Sequence, residues 1–222
     1  MKIRIISDLH MEFGAVSLPS CDSDVVILAG DIHKKLNALP WIREIFPAEQ
    51  PVVYICGNHE FYGAKYPRVI EKLKEATASD ENIHVLENES IEIGGFSFWG
   101  ATLWSDMALN GDVIRGCAAA NQAMNDYRAI RFVDGAYRRL RAEDTRMAHL
   151  MSLNRLQDFL EANDPQRSVI VTHMAPSRMS VPERFQYDLV SCAFASNLDW
   201  LIEAFQPKLW IHGHTHDTDS KN

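Results

Sequence analysis

The sequence predicts an α/β protein built on one mixed sheet or on two sheets. Short apolar, β-branched runs alternate with helical stretches between Lys2 and Ala78. Closely spaced short strands follow, two of them joined by Gly94-Gly95, a hairpin signal. Buried-type strands return at Ser168 and Lys208.

Each element has a local reason. Lys2–Ser7 reads as the first strand. Asp24–Ala29 is a second, buried strand running into Gly30-Asp31. A helix over Lys34–Phe46 is bounded by Pro47. Val52–Cys56 is the third strand, bounded by Pro51 and Gly57. Val69, Ile70 and Leu73 stand at helical spacing in a helix from Tyr66 to about Ala78. Ile83–Leu86, Ser90–Ile93 and Phe96–Trp99 form the meander. Asp112 to Tyr127 reads as helix or loop. Thr145–Ala162 is an amphipathic helix with Leu150, Leu153, Leu156, Phe159 and Leu160 on one stripe. Ser168–Thr172 is a buried strand, Leu198–Phe205 a short helix, and Lys208–Ile211 a last strand. One domain over residues 1–222 is expected, with the least patterned region, about Thr102 to Asp144, as a lid or insertion.

Composition narrows the class. The chain has 222 residues, 46% hydrophobic and 23% charged, within the ordinary range for a globular protein. No apolar run reaches the ~18 residues needed to span a bilayer. Met1–Ile6 is too short for a signal peptide. A cytoplasmic, membrane-free protein is expected. Cys21, Cys56, Cys117 and Cys192 form no CxxC pair and predict reduced, mostly buried thiols. The net charge of −8 argues against nucleic acid as a partner. The one dense basic run, Arg138-Arg139-Leu140-Arg141 with Arg128 and Arg131 upstream, reads as a solvated helix face or a substrate-attracting rim.

The chemistry sits at strand ends. Gly57-Asn58-His59-Glu60 closes the third strand, offering an amide that could ligate a metal and an imidazole that could move protons. Alone it could equally be a polar turn. Four other strands end the same way: Asp8-Leu9-His10, Gly30-Asp31, Thr172-His173 and Gly213-His214-Thr215-His216. Ligands in α/β proteins gather at the carboxyl ends of strands. Two carboxylates, one amide and four imidazoles exceed what one tetrahedral zinc uses. They suit two metal ions sharing a carboxylate. Oxygen and imidazole donors without thiolate favour manganese, iron or zinc over copper. His33, His84, His149 and His212 read as ordinary polar histidines.

With these residues in place, the chain resembles the calcineurin-like metallophosphoesterases, whose ordered motifs are D-x-H, G-D, G-N-H-[DE], a later H, and G-H-x-H. The resemblance implies a four-layer α/β/β/α sandwich of two mixed sheets. It implies two divalent ions, manganese foremost: Asp8, His10 and His216 on the first, Asn58, His173 and His214 on the second, Asp31 bridging. It implies a phosphate-ester substrate, either a small-molecule phosphodiester or a phosphomonoester, attacked by a metal-bridging hydroxide, with His59 touching the phosphate and protonating the leaving oxygen. Glu60 is open between a carboxylate at a helix start and a support behind the ligands. Asp126, Tyr127 and Arg128 are candidate substrate contacts.

Two alternatives stay open. A protein phosphatase would carry G-D-x-V-D-R-G where Gly30-Asp31-Ile32-His33-Lys34 stands. A non-catalytic scaffold would usually have lost a ligand or the proton donor, and all eight positions are present. Family members continue past G-H-x-H with further strands. Here six residues follow His216, which predicts an open sheet edge and an oligomer that covers it.

Overall fold

A computed structural model describes residues 1–134 and 136–216, with side chains placed except at 134, 136 and 137. The first sheet holds β1 (Ile3–Ile6), β2 (Val25–Ala29), β3 (Val52–Ile55) and β5 (Ile83–Val85), in the order β1-β2-β3-β5. All its pairs are parallel, with Ile3 beside Val25, Val26 beside Val52, and Val52 beside Ile83. The second sheet holds β6 (Glu89–Ile93), β7 (Phe96–Ala101), β10 (Ser168–Thr172) and β11 (Leu209–Ile211), in the order β11-β10-β7-β6. Its β6–β7 pair is antiparallel and the others are parallel, so the mixed character lies in this sheet. Residues 217–222 lie outside the described residues, and among the described ones β11 is an edge strand.

Side-chain parity builds the four layers. Val25, Ile27, Ala29, Val53 and Ile55 pack against Phe98, Val169, Val171 and Ile211 of the second sheet. Their neighbours Val26, Leu28, Val52 and Tyr54 face the other way, onto α1 (Ala38–Ile45) and α2 (Arg68–Ala76). On the far side, Trp99, Ala101 and Ile170 cover Leu156, Phe159 and Leu160 of α5 (Ala142–Ala162) and Leu201 of α6 (Asp199–Phe205). β2 and β3 are buried on both faces, which is why they read as unbroken apolar runs. Burying each of these Val and Ile side chains contributes about 1.5–3 kcal/mol.

Several boundaries move for physical reasons. α1 begins at Ala38 because the chain turns at Lys35, whose φ is +59°. It ends where Phe46, preceding Pro47, is forced extended. α5 begins at Ala142, where the Asp144 carboxylate accepts from the Arg141 backbone N–H (2.9 Å) and grips Arg138 with two bonds of 2.6 and 2.7 Å. Its buried stripe is Thr145, His149, Ser152, Leu156, Phe159 and Leu160, whereas Leu150 and Leu153 are only half-buried. Thr145 meets the Tyr127 hydroxyl and His149 Nδ1 the Leu103 carbonyl.

Between 102 and the start of α5 the described residues carry α3 (Val113–Ala123), α4 (Asp126–Ala129), β8 (Arg131–Asp134) and β9 (Ala136–Arg139). With β4 (Lys65–Tyr66), β8 and β9 form a third sheet, β4-β8-β9. Arg138 and Arg139 therefore belong to a strand, not to a helix face. Cys21 is exposed, the other three cysteines are buried, and all four are free thiols. Among the described residues no helix is long and apolar enough to cross a membrane.

Candidate metal centre

The eight polar residues singled out in the sequence follow five strands: Asp8 and His10 after β1, Asp31 after β2, Asn58 and His59 after β3, His173 after β10, His214 and His216 after β11. Asp8, His10, Asp31, His214 and His216 all have positive φ, between 45° and 69°. Non-glycine residues held there cost about 1–3 kcal/mol each and cluster at functional sites. Gly30 and Gly57 let the loops close on one another. A Cβ on Gly30 would lie 2.4 Å from His173 Nδ1, and one on Gly57 would lie 2.2 Å from Asp31 Oδ1.

Three close donor groups result, one of them His10, Asp31 and His59, and the other two consist of the residues expected as ligands. In one, donor atoms of Asp8, His10 and His216 all lie within 4.8 Å of one another. His216 Nε2 is 3.1 Å from His10 Nε2 and 3.3 Å from Asp8 Oδ1. In the other, Asp31, His173 and His214 are equally close. His173 Nε2 is 3.4 Å from Asp31 Oδ2 and 3.1 Å from Asn58 Oδ1. Asp31 joins them, since the same Oδ2 is 3.7 Å from His10 Nε2.

The donors fit a divalent metal. His214 is buried, its Nε2 has no hydrogen-bond partner, and burial drives its pKa well below the ordinary histidine value. Burial thus favours its neutral ring, and a donor atom of His214 lies within 4.8 Å of donor atoms of Asp31 and His173. Burial likewise lowers His10. Burial opposes ionisation of Asp31, but the charge and hydrogen bond of His173 outweigh it and hold the carboxyl well below the usual range. Burial works against a charge on His173, but the Asp31 carboxylate outweighs it and raises its pKa to about 10, so a metal there would displace that proton. An ionised carboxylate with imidazole donors is the donor chemistry of manganese, iron and zinc sites.

The supporting residues come from elsewhere in the chain. Asp126, fully buried, accepts from Asn58 Nδ2 (2.7 Å) and from the Tyr62 hydroxyl (2.8 Å). That fixes the Asn58 amide with its oxygen toward His173. Asp126 thus sits behind a candidate ligand and is not a substrate contact. Tyr127 is buried against Thr145, and Arg128 points its guanidinium at the Gln122 carbonyl, so neither reaches the donors. His59 donates its backbone N–H to Asp31 Oδ1 (2.8 Å) and stacks on Tyr62 with ring centroids 4.2 Å apart. Its Nδ1 lies 2.6 Å from Glu12 Oε1. Glu12 was not singled out in the sequence, although it continues the spacing of Asp8 and His10 by two more residues. His33, His84, His149 and His212 belong to none of the donor groups found among the described residues.

Glu60 lies on a single 3₁₀ turn, His59–Phe61, and is fully buried. One oxygen accepts from the backbone of Asp31 (3.0 Å) and Gly57 (2.8 Å), the other from the backbone of Ile32 (2.9 Å) and the Tyr54 hydroxyl (2.9 Å). Burial, then the nearby Asp31 charge, push its pKa up to about 7, against the pull of those donors. One carboxylate therefore staples the loops after β2 and β3 together. Replacing it, Glu60→Gln, would turn an NH₂ group toward two of the four donors. The expected loss is about 2–4 kcal/mol of stability, from charge-assisted bonds and stranded donors. For a chain of this size that lowers Tm by roughly 4–16 °C. An unchanged melting curve would refute the staple.

A cleft of about 530 Å³ opens over the donors, walled by Phe13, His59, Tyr62, Met124, Asn125 and Phe194 among others. Beside it lies an apolar pocket of about 240 Å³ with Val181, Phe185 and Val190, sharing Phe194 and Thr215 with the cleft.

A family model described as calcineurin-like phosphoesterase matches residues 1–218. The chain is also similar to the uncharacterized protein L509 of Acanthamoeba polyphaga mimivirus, at 27% identity over 245 residues, covering 97% of this chain and 85% of that one.

Proposed function

The chain belongs to the calcineurin-like phosphoesterase family, and from that premise we propose that it hydrolyses a phosphate ester at a centre of two divalent ions. The observation that carries the reading is Asp31, within 3.4 Å of one donor group and 3.7 Å of the other. Asp8, His10 and His216 would hold the first ion, and Asn58, His173 and His214 the second. Asp31 would belong to both. Manganese is the expected metal, with iron or zinc accepted by the same donors. Such ions supply a water acidified from 15.7 toward ~7 and a positive clamp on the phosphoryl oxygens.

The chain's own residues do the rest. His59 stands in the wall of the cleft with Nδ1 engaged by Glu12. Its Nε2 is thereby the nitrogen left to hold a proton for the leaving oxygen. Burial works against ionisation of Glu12, but the bond from His59 outweighs it and keeps the carboxyl below its ordinary range. An ionised partner of that kind fixes the tautomer and orientation of the ring. The apolar pocket beside Phe194 suits the organic group of a small-molecule ester, diester or monoester. A cytoplasmic setting accompanies this reading.

The test is an assay of manganese-reconstituted protein on bis(p-nitrophenyl) phosphate and p-nitrophenyl phosphate. Release of p-nitrophenol from at least one, lost with EDTA and restored by manganese, is the expected result. No release from either, with metal bound, would point to a scaffold instead.

A further inference from the structure

Around the corner from the cleft lies a groove of about 520 Å³ whose walls carry Lys35, Lys65, Arg68, Lys72, Arg128 and Arg131. No carboxylate lines it among the described residues. These six cations come from the loop before α1, from β4, α2, α4 and β8, so no run in the sequence announces them. On a chain of net charge −8, so dense a cluster leaves the remaining surface more acidic still.

The fold assembles this cluster against local cost. Arg68 and Lys72 are four apart on α2 and share a face. Like charges at that spacing are destabilising. Lys65 and Arg131 are neighbours across the parallel β4–β8 pair. A bound polyanion would offset the repulsion between Arg68 and Lys72.

The groove is also coupled to the candidate metal centre. Lys35 donates its backbone N–H to the Glu60 carbonyl (2.8 Å), Gly63 to Ala129 (3.0 Å), and Arg131 to Ala64 (3.0 Å). Tyr62 lines the cleft and Gly63, the next residue, lines the groove. α4 makes the same division, with Asn125 just before it on the cleft and Arg128 on the groove.

We propose that the groove receives a second phosphate group of the substrate, which is then a small, multiply phosphorylated molecule. One ester lies over the donor cluster while a further phosphate rests among the six cations. The identification of the bound molecule as substrate rests on the phosphoesterase reading above; the anion site itself does not. A compact polyanion is favoured over a nucleic-acid strand because the chain carries a net charge of −8, whereas a strand draws its affinity from many phosphate contacts.

The probe is inorganic tripolyphosphate, titrated calorimetrically into the full chain held in EDTA, so that binding cannot occur through metal. Binding to the wild type is expected, weakened at least tenfold in Arg68→Glu/Lys72→Glu, both exposed helix positions. Should that variant not fold, Lys35→Gln carries the same expectation in a smaller degree, about threefold. Absence of tripolyphosphate binding, or equal binding by a folded variant, overturns the proposal. Tighter binding of dT12 than of tripolyphosphate overturns it in favour of a nucleic-acid track. A chain that hydrolyses the aryl esters yet ignores tripolyphosphate loses the groove alone. One that binds tripolyphosphate through these cations and hydrolyses nothing keeps the anion site and loses the esterase.

Discussion

Asp31→Asn is expected to empty both metal positions at once. Asp31 is the one carboxylate that approaches both donor groups, 3.4 Å from His173 and 3.7 Å from His10. It is 1% exposed and held in its ionised form by its surroundings. An amide keeps the shape and can still accept from the His59 N–H, but it removes the negative charge that two cations would share. Loss of even a supporting residue behind a ligand weakens metal binding 10–100-fold. Loss of a shared ligand is expected to exceed the upper figure for both ions. Turnover should fall by about 10³ or more, since several kcal/mol of charge stabilisation leave with the metals. Elemental analysis after dialysis checks the point, with circular dichroism to confirm that the variant is folded. Asp8→Asn should weaken one ion and spare the other. Two tightly held ions in Asp31→Asn would remove Asp31 from its bridging place.

The contrast between Asp31 and Asp126 explains what could be read from the sequence. Asp31 stands directly after a buried strand, in a short run whose ligand-type character is visible locally. Parallel strands deliver such residues to one edge whatever the loops between them do. Asp126 acts on Asn58 from 68 positions away, and nothing in its own surroundings declares that partner. Glu12 is similar. It lies two residues past His10, yet its meaning comes only when β3 sets the His59 ring beside it. Glu60 was visible as a carboxylate at the start of a helical turn, but its four donors belong to β3 and to the loops after β2 and β3.

The fold shows the same division. β2, β3 and β10 declared themselves because burial on both faces demands continuous apolar side chains. The β8–β9 hairpin did not, because Arg131, Asp134, Arg138 and Arg139 break any apolar run, and Phe132 and Val133 are only partly covered. β4 is two residues long and exists through its pairing with β8. The basic groove is the furthest case. Its cations are scattered over the chain between Lys35 and Arg131, and only that small third sheet and α2 bring them to one place.

His59→Ala is expected to leave both ions in place and to lower turnover by about 10²–10⁴, the usual contribution of a positioned general acid. The structure makes this a real contest, because His59 also forms a close donor group with His10 and Asp31. Were it a ligand, its loss would weaken metal binding. The geometry favours the proton role. Its Nδ1 is 2.6 Å from Glu12 and its ring is stacked on Tyr62. Its link to Asp31 runs through the backbone N–H, which alanine retains. A ring held in that way is aimed by its carboxylate partner. Glu12→Gln should therefore reduce turnover by a smaller factor, about 10–100-fold, on the scale of losing a residue that orients another. The decisive measurement pairs metal content with rates on two aryl esters that differ in leaving-group acidity. Without the proton donor, the ester with the poorer leaving group should suffer more, because it depends more on protonation of the departing oxygen. Equal losses on both esters, or a missing ion, would take His59 out of the acid role and return it to the ligand set.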